Sequence, residues 1–208
     1  MRKRQIDGFF RELDRELGVD GQIILVGASA GSLMGHIRPS VDIDFEIRLK
    51  GRRSASKAEA LDRSIRKVAE KMGVAVNYSQ NVSRWSMINF MDYRKTALSY
   101  KVFGKLTVKL IAPEYWTIGK MGRFIRTDMT DIQKIIRIKK LKASSLIKIW
   151  ARALKHSELS LELGQYRRHV EFFLARYGPR LWEKSFDAEK AIRLFRKLAG
   201  IPGDIQKP

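Results

Sequence analysis

The sequence predicts an α/β fold in which helices flank a mixed β-sheet, with a helical region at the C-terminus. Residues 22–26 are an apolar run rich in β-branched side chains, which is typical of a buried strand. Residues 41–47 alternate strictly between apolar and acidic side chains, as a strand with one buried face does. Beyond residue 113 the apolar residues recur at helical spacing. We therefore expect residues 1–127 to form an α/β core and residues 128–208 a basic helical cap.

The composition predicts a globular protein that binds a polyanion. With 44% hydrophobic residues, the 208-residue chain can bury a core. Its 42 Lys and Arg outnumber its 22 Asp and Glu, and a net charge of +20 favours nucleic acid as the partner. The absence of cysteine excludes disulfides, thiolate zinc sites and a thiol nucleophile. We expect no membrane association and a cytoplasmic location, because neither a secretion signal nor a long apolar segment is found.

The remaining core elements follow from periodicity and from helix-capping residues. A helix is expected over residues 2–17, ending at Gly18. A Ser56–Glu59 capping box predicts a second helix, which Gly73 ends. Strands are then expected at residues 74–78, 85–91, 97–103 and 106–111. The second helix presents five cations that fit either a solvated face or a surface facing nucleic acid: Lys57, Arg63, Arg66, Lys67 and Lys71.

The C-terminal region predicts several helices in succession. The first spans residues 114–126, and Thr127 is expected to cap the next, whose end is strongly basic. Ser144 is expected to start another helix. A further helix over residues 158–177 should end at Gly178-Pro179, and Asp187 should cap the last one.

The acidic residues of the second strand suggest a metal site. Asp42, Asp44 and Glu46 project to one side of the strand, about 7 Å apart between alternate residues. Carboxylates this close repel one another unless a cation lies between them. Hard oxygen ligands suit Mg²⁺ (or Mn²⁺), which keeps several waters and often bridges to phosphates. A solvated strand face is the competing interpretation of the same pattern.

The small residues that precede this strand could bind phosphate. Gly27 allows a close backbone approach to an anion, and Ser29 adds a hydroxyl donor. A helix opening after them would also favour negative charge. Arg38 lies between this loop and the acidic strand.

Together these residues resemble the nucleotidyltransferase superfamily that shares the DNA polymerase β fold. Its motif is a Gly-Ser or Gly-Gly turn followed by Asp-x-Asp on a strand, and residues 27–29 and 42–44 match it. A second match is similar to the small bacterial and archaeal nucleotidyltransferases related to AbiEii/MenT-type toxins. It comprises Ala112-Pro113-Glu114, Lys120, Arg123, Asp128 and Asp131-Ile132. The resemblance covers roughly residues 20 to 140.

The resemblance implies transfer of a nucleoside monophosphate from a nucleoside triphosphate to an acceptor. Asp42 and Asp44 would hold Mg²⁺ or Mn²⁺, while Lys120 and Arg38 would neutralise phosphate charge. The basic composition favours RNA, plausibly tRNA, over DNA as the acceptor. The resemblance also raises the prospect of a toxin with an antitoxin protein as partner.

Three points stay open at this level. The superfamily places a third acid opposite the Asp-x-Asp pair, but Lys109 stands where it would be expected, which leaves Glu46 or Asp92. Asp128 and Asp131 would either orient Lys120 in a nucleotide site or complement a helix dipole. Two further functions are compatible with the sequence: a catalytically degenerate protein that grips nucleic acid, and modification of a small molecule.

Overall fold

A computed structural model describes residues 1–35, 37–51, 54–183 and 186–201. The described strands are β1 (Gly21–Leu25), β2 (Asp42–Leu49), β3 (Ala75–Ser79), β4 (Leu98–Phe103) and β5 (Leu106–Leu110). The described helices are α1 (Lys3–Leu17), α2 (Gly27–Gly35), α3 (Ala55–Met72), α4 (Tyr93–Thr96), α5 (Pro113–Arg123), α6 (Arg126–Lys139), α7 (Ala143–Lys155), α8 (Leu161–Leu181) and α9 (Ala188–Ala199). None of the described helices is both long enough and apolar enough to cross a membrane.

The chain divides into two compact units. The first comprises Met1–Val82 and Arg94–Ala112; the second comprises Ser83–Tyr93 and the chain from Pro113 onward. The boundary after Ala112 differs from the predicted one after residue 127, because α5 packs against α6, α7 and α8. Helix α5 therefore belongs to the helical unit.

The first unit is built on a five-stranded mixed sheet with the order β3-β2-β1-β5-β4. Strand β1 pairs antiparallel with β2 and parallel with β5. Strands β2 and β3 pair in parallel, and β4 and β5 form an antiparallel hairpin. The predicted fold class, a mixed sheet flanked by helices and followed by C-terminal helices, is confirmed.

The core of the first unit fixes the orientation of β2. Ile43, Phe45 and Ile47 are fully buried. The Phe45 ring centroid lies 5.9 Å from that of Phe9 and 5.6 Å from that of Phe10, both on α1. Because strand side chains alternate, this packing directs the acidic residues of β2 to the opposite face of the sheet.

The second unit is helical and has its own core. Trp150 on α7 is fully buried, and its indole N–H donates a 2.8 Å hydrogen bond to the hydroxyl of Thr117 on α5. Its ring packs edge-on against Phe173 of α8 at 5.8 Å. Burying an indole with its N–H satisfied avoids the cost of an unpaired polar group.

The strand predicted at residues 85–91 is wrong. A single 3₁₀ turn, Val82–Trp85, occurs there instead, followed by irregular backbone. The hydroxyl of Ser86 accepts from the backbone N–H of Ile88 at 3.0 Å, and the side-chain oxygen of Asn89 accepts from that of Met91 at 2.7 Å. These local bonds satisfy N–H groups that a strand would pair with a neighbour.

Several predicted helix ends are also corrected. Helices α3, α6 and α7 begin two residues before their predicted starts, after Ser54, Ile125 and Lys142 rather than at Ser56, Thr127 and Ser144. Neither Ile125 nor Lys142 supplies a side-chain cap, so capping residues do not set these two starts. Helix α8 is capped by Ser160 and continues through Pro179 to Leu181 instead of ending at Gly178-Pro179. Gly18, Gly73 and Asp187 act as predicted.

Candidate active site

Asp42 and Asp44 converge on one side chain of the neighbouring strand. The amide nitrogen Nδ2 of Asn77 donates to Oδ2 of Asp42 at 2.9 Å and to Oδ1 of Asp44 at 3.0 Å. Asn77 stands directly opposite Asp44 in the parallel β2–β3 register. Two carboxylate oxygens therefore lie around a single point, where an electropositive donor holds them.

The junction of β1 and α2 fixes the backbone of Asp44. Its carbonyl accepts a 2.9 Å hydrogen bond from the N–H of Val26, and its N–H donates to the hydroxyl of Ser29 at 3.3 Å. That hydroxyl also donates to the carbonyl of Val26 at 3.0 Å, and Ser29 is fully buried. Ser29 thus positions Asp44. A phosphate contact of its hydroxyl, which stays a prediction, would require breaking these bonds.

Gly27 is required by the close approach of Asp44. A Cβ atom at residue 27 would lie 1.8 Å from Oδ2 of Asp44, and the backbone there has φ +57°. Both the space and the dihedral favour glycine over residues with side chains. The expected loop is instead the first turn of α2, which begins at Gly27 itself. Arg38 lies half-buried in the connection between α2 and β2.

Glu46, one candidate for the third acid, is engaged by the fold. It is 1% exposed, and its carboxylate accepts from Nε and Nη2 of Arg94 at 2.6 and 2.9 Å. The backbone N–H of Val82 donates to it at 3.1 Å. A two-pronged Arg–carboxylate pair with an added backbone donor compensates the buried charge.

Asp92, the other candidate, belongs to the second compact unit. There its carboxylate lies 3.8 Å from Arg152, and both side chains are about half exposed. Within residues 1–35, 37–51, 54–183 and 186–201, no group of three or more His, Cys, Asp or Glu side chains is placed to hold a metal ion.

Asn77 is the site residue that sequence reasoning missed. The resemblance predicts a third acid on a later strand such as β5, but β5 neighbours β1 rather than β2. Two strands joined through a long helix often pair in parallel, as β2 and β3 do through the 18-residue α3, whereas β1 and β2 pair antiparallel across the shorter α2. Applied to β2, α3 and β3, this rule could have placed the polar residue of β3 beside the acidic pair.

In the second unit, Lys120 lies in a buried ion cluster. Its ammonium nitrogen is 2.8 Å from Oδ1 of Asp128 and 2.9 Å from Oδ2 of Asp131. Lys120 is 3% exposed, Asp128 0% and Asp131 2%. Arg123 adds a two-pronged contact to Asp128, at 2.9 and 2.7 Å. The ammonium also lies 5.1 Å from the centroid of the Trp116 ring.

The cluster brings together the four charged residues Lys120, Arg123, Asp128 and Asp131 of the second sequence motif. Burial alone would raise the pKa of Asp128, but hydrogen bonds from Arg123 and Lys120 outweigh it and lower that pKa below its usual value. Both aspartates contact Lys120, so they are placed to orient its ammonium. The contact of Lys120 with nucleotide phosphates stays a prediction.

The donor set around Asn77 fits a small divalent cation. Asp42 and Asp44 offer hard carboxylate oxygens, the ligand type that Mg²⁺ and Mn²⁺ prefer. Rotating the Asn77 amide by half a turn would exchange its nitrogen for its oxygen, because the two atoms are related by a simple flip. The site could then present three oxygen ligands, with substrate phosphates and water completing the shell.

We expect Asn77→Asp to have opposite effects without and with a divalent metal. Without metal, a third carboxylate replaces the amide donor, and repulsion among the three should lower the melting temperature. With Mn²⁺, the added charge should tighten binding on the order of tenfold, as measured by calorimetry. Gln80→Glu adds the same charge to the same unit and serves as the control. Unchanged Mn²⁺ affinity in Asn77→Asp would remove Asn77 from the site.

No protein-family profile, curated protein or solved structure gives a significant match to this chain. The candidate site therefore stands on its own geometry and on the sequence motifs.

Proposed function

We propose that this protein is a metal-dependent nucleotidyltransferase, which transfers a nucleoside monophosphate from a nucleoside triphosphate to RNA. The observation that carries the proposal is the convergence of Asp42 and Asp44 on one point, 2.9 and 3.0 Å from the Asn77 amide nitrogen. The junction between β1 and α2, which begins at Gly27, also supports it, because the Val26 N–H at this junction donates a hydrogen bond to the carbonyl of Asp44. The sequence motifs supply the reaction class by resemblance.

In this proposal Asp42 and Asp44 hold Mg²⁺ or Mn²⁺. The bound metal would neutralise charge on the triphosphate and polarise the reacting phosphoryl group. Gly27 keeps the start of α2 close to the carboxylates, so its first backbone N–H groups can approach a phosphate. Catalysis would then depend mainly on positioning and electrostatic stabilisation, as is usual for phosphoryl transfer.

The net charge supports a polyanionic acceptor. A charge of +20 favours RNA over a neutral or cationic small molecule, since phosphates supply the complementary charge. We propose tRNA as the first acceptor to test. The resemblance to AbiEii/MenT-type toxins adds the expectation that the protein arrests growth when expressed without an antitoxin partner.

A second candidate is a catalytically degenerate protein of the same fold that binds nucleic acid. Two observations favour it: Asn77 rather than an acid faces Asp44, and the Glu46 carboxylate is already paired with Arg94. The enzyme requires metal and nucleotide and the degenerate protein does not, so experiments can distinguish the two functions.

The direct test is nucleotide transfer. The protein would be incubated with total tRNA, Mg²⁺ or Mn²⁺ and each labelled nucleoside triphosphate in turn. We expect metal-dependent incorporation of one nucleotide into RNA. No incorporation under any combination, together with RNA binding that needs no metal, would favour the degenerate protein.

Thermal stability gives a second test that does not require the acceptor. A ligand that binds only the folded protein stabilises it by about 2.7 kcal/mol at 100 times its dissociation constant. We expect Mg²⁺ plus the correct nucleoside triphosphate to raise the melting temperature more than either alone. If a nucleoside and its triphosphate raised the melting temperature equally, the result would contradict a site that binds phosphate through a metal ion.

A further inference from the structure

The basic face of α3, one of the surfaces considered for nucleic acid, is largely neutralised within the first unit. Four of its cations form ion pairs: Arg66 with Asp62 at 2.7 Å, Lys67 with Glu16 at 2.9 Å, Lys71 with Glu12 at 2.7 Å, and Arg63 with Glu59 at 4.0 Å. Each pair places a carboxylate next to a cation, which weakens the field that a phosphate would meet. The many Lys and Arg residues of α3 therefore do not make it a strong anion-binding surface.

A different stretch of the chain carries cations without acids. No Asp or Glu occurs between Asp131 and Glu158, and we call residues 132–157 the acid-free segment. It contains eight cations, all of them exposed: Lys134, Arg137, Lys139, Lys140, Lys142, Lys148, Arg152 and Lys155. The segment is therefore a concentrated source of positive potential within the second unit.

Among the residues that the structure describes, most of these cations have no acidic side chain as a partner. Arg152 faces Asp92 at 3.8 Å, a long contact between half-exposed groups. Within the part of the chain that the structure describes, the other contacts place no acid beside six of them: Arg137, Lys139, Lys140, Lys142, Lys148 and Lys155. Exposed ammonium and guanidinium groups in this state can neutralise phosphates, which releases the counterions condensed on the nucleic acid.

The second unit presents these cations on defined backbone. The inward side of α7 is buried, including Leu146, Ile147, Trp150 and Leu154. Its outward side carries an exposed row of Ser144, Lys148, Arg152 and Lys155, at helical spacings of three and four residues. From Lys148 to Lys155 the row is about 10 Å long, given a rise of 1.5 Å per residue.

Three further lysines mark the connection between α6 and α7. We call Lys139, Lys140 and Lys142 the corner lysines. Lys140 ends α6 in the left-handed conformation, and its N–H bonds to carbonyls of the last helical turn. The backbone of the next residue, Leu141, bonds to Ile136 at 3.0 Å, and its side chain is buried. The corner is thus a fixed part of the fold rather than a loose basic tail.

We propose that the acid-free segment is the RNA-docking surface of this protein and that it contacts the phosphodiester backbone. This inference rests on the proposed function for its choice of RNA. Charge complementarity carries it, because exposed cations without neighbouring acids gain most from phosphate. Side chains that contact only phosphates position a nucleic acid without reading its sequence, so we expect binding to depend little on sequence.

The test compares two variants with equal net charge. One variant is Lys139→Gln/Lys140→Gln/Lys142→Gln, and the matched control is Arg63→Gln/Lys67→Gln/Lys71→Gln on α3. Binding to total tRNA would be measured by fluorescence anisotropy between 50 and 200 mM salt, a range in which the Debye length is on the order of 10 Å. For the corner variant we expect affinity to fall on the order of 10- to 100-fold at the lowest salt. The slope of log affinity against log salt should fall by about 2 to 3, and the α3 variant should change far less.

The possible outcomes separate this inference from the proposed enzyme activity. Binding is measured without nucleotide, so the result does not depend on transferase activity. Even if the protein is inactive, a loss of RNA affinity in the corner-lysine variant alone would support the docking surface. Equal losses in both variants would overturn it, since net charge alone would then explain binding. Tighter binding to duplex DNA or to anionic lipid vesicles than to tRNA would overturn the choice of RNA. Circular dichroism of both variants verifies that they are folded.

Discussion

Asp42→Ala/Asp44→Ala is expected to reduce nucleotide transfer by at least about 1,000-fold. Loss of a single preorganised electrostatic group commonly costs 100- to 1,000-fold, and this variant removes both proposed metal ligands. It should also lose the thermal stabilisation that Mg²⁺ and nucleoside triphosphate give together. The measurement is labelled nucleotide incorporated into tRNA, at saturating metal and substrate.

The same variant should remain folded. Both carboxylates lie on a partly exposed strand face, and their shared partner, Asn77, is itself exposed and can turn to water. Asp20→Ala is the matched control, because the Asp20 carboxylate is exposed and forms a surface ion pair with the exposed Lys50 at 3.3 Å. Such surface pairs contribute little to stability. Transfer at the wild-type rate by the double variant would refute the assignment of Asp42 and Asp44.

Lys120→Met is expected to destabilise the helical unit by about 3 to 5 kcal/mol, the usual effect of breaking a buried ion pair. The substitution leaves Asp128 and Asp131 buried while removing the cation that contacts both. All four tryptophans of the chain, at positions 85, 116, 150 and 182, belong to this unit. Urea unfolding followed by tryptophan fluorescence therefore reports on it directly.

The pH dependence of this effect follows from Asp128. Burial works against its charge, but hydrogen bonds from Arg123 and Lys120 lower its pKa below the ordinary value of about 3.9. A lowered folded pKa gives stability that is complete above the unfolded pKa and is lost as the pH falls through the folded pKa. We therefore expect the difference between wild type and Lys120→Met to be largest near neutral pH and to shrink below about pH 4.

The control for Lys120→Met is Lys148→Met, which removes an exposed lysine of the same unit. It should change the free energy of unfolding by less than about 0.5 kcal/mol. A Lys120→Met protein with wild-type stability but no transfer activity would show that Lys120 acts on the substrate rather than on the fold.

The parts of the fold that follow from side-chain alternation were predictable. The period of two in β2 separates the buried Ile43, Phe45 and Ile47 from Asp42 and Asp44, and the structure has this arrangement. Each assignment depends only on neighbours along the chain. The same local reasoning placed Gly18 and Gly73 at helix ends, where both adopt the left-handed conformation.

What escaped prediction depends on neighbours across the sheet or on competing local bonds. Asn77 reaches Asp42 and Asp44 only through the pairing of β3 with β2. Glu46 is paired with Arg94, 48 residues away along the chain, which local sequence patterns do not reveal. The segment after Val82 has the apolar content of a strand, but its Ser and Asn side chains bond to the backbone instead. Composition alone cannot weigh such contacts.

The chain passes between the two compact units three times, after Val82, Tyr93 and Ala112. Residues 83–93 are bound to the rest of the helical unit, since the backbone N–H of Asn89 donates to the hydroxyl of Ser157 at 2.8 Å. A fragment of the chain that stops at residue 112 would contain residues 83–93 without the helices they contact. A fragment that starts at residue 113 would lack them. A single recombination joint therefore cannot exchange either unit for another, because each unit is made of two separate stretches of the chain.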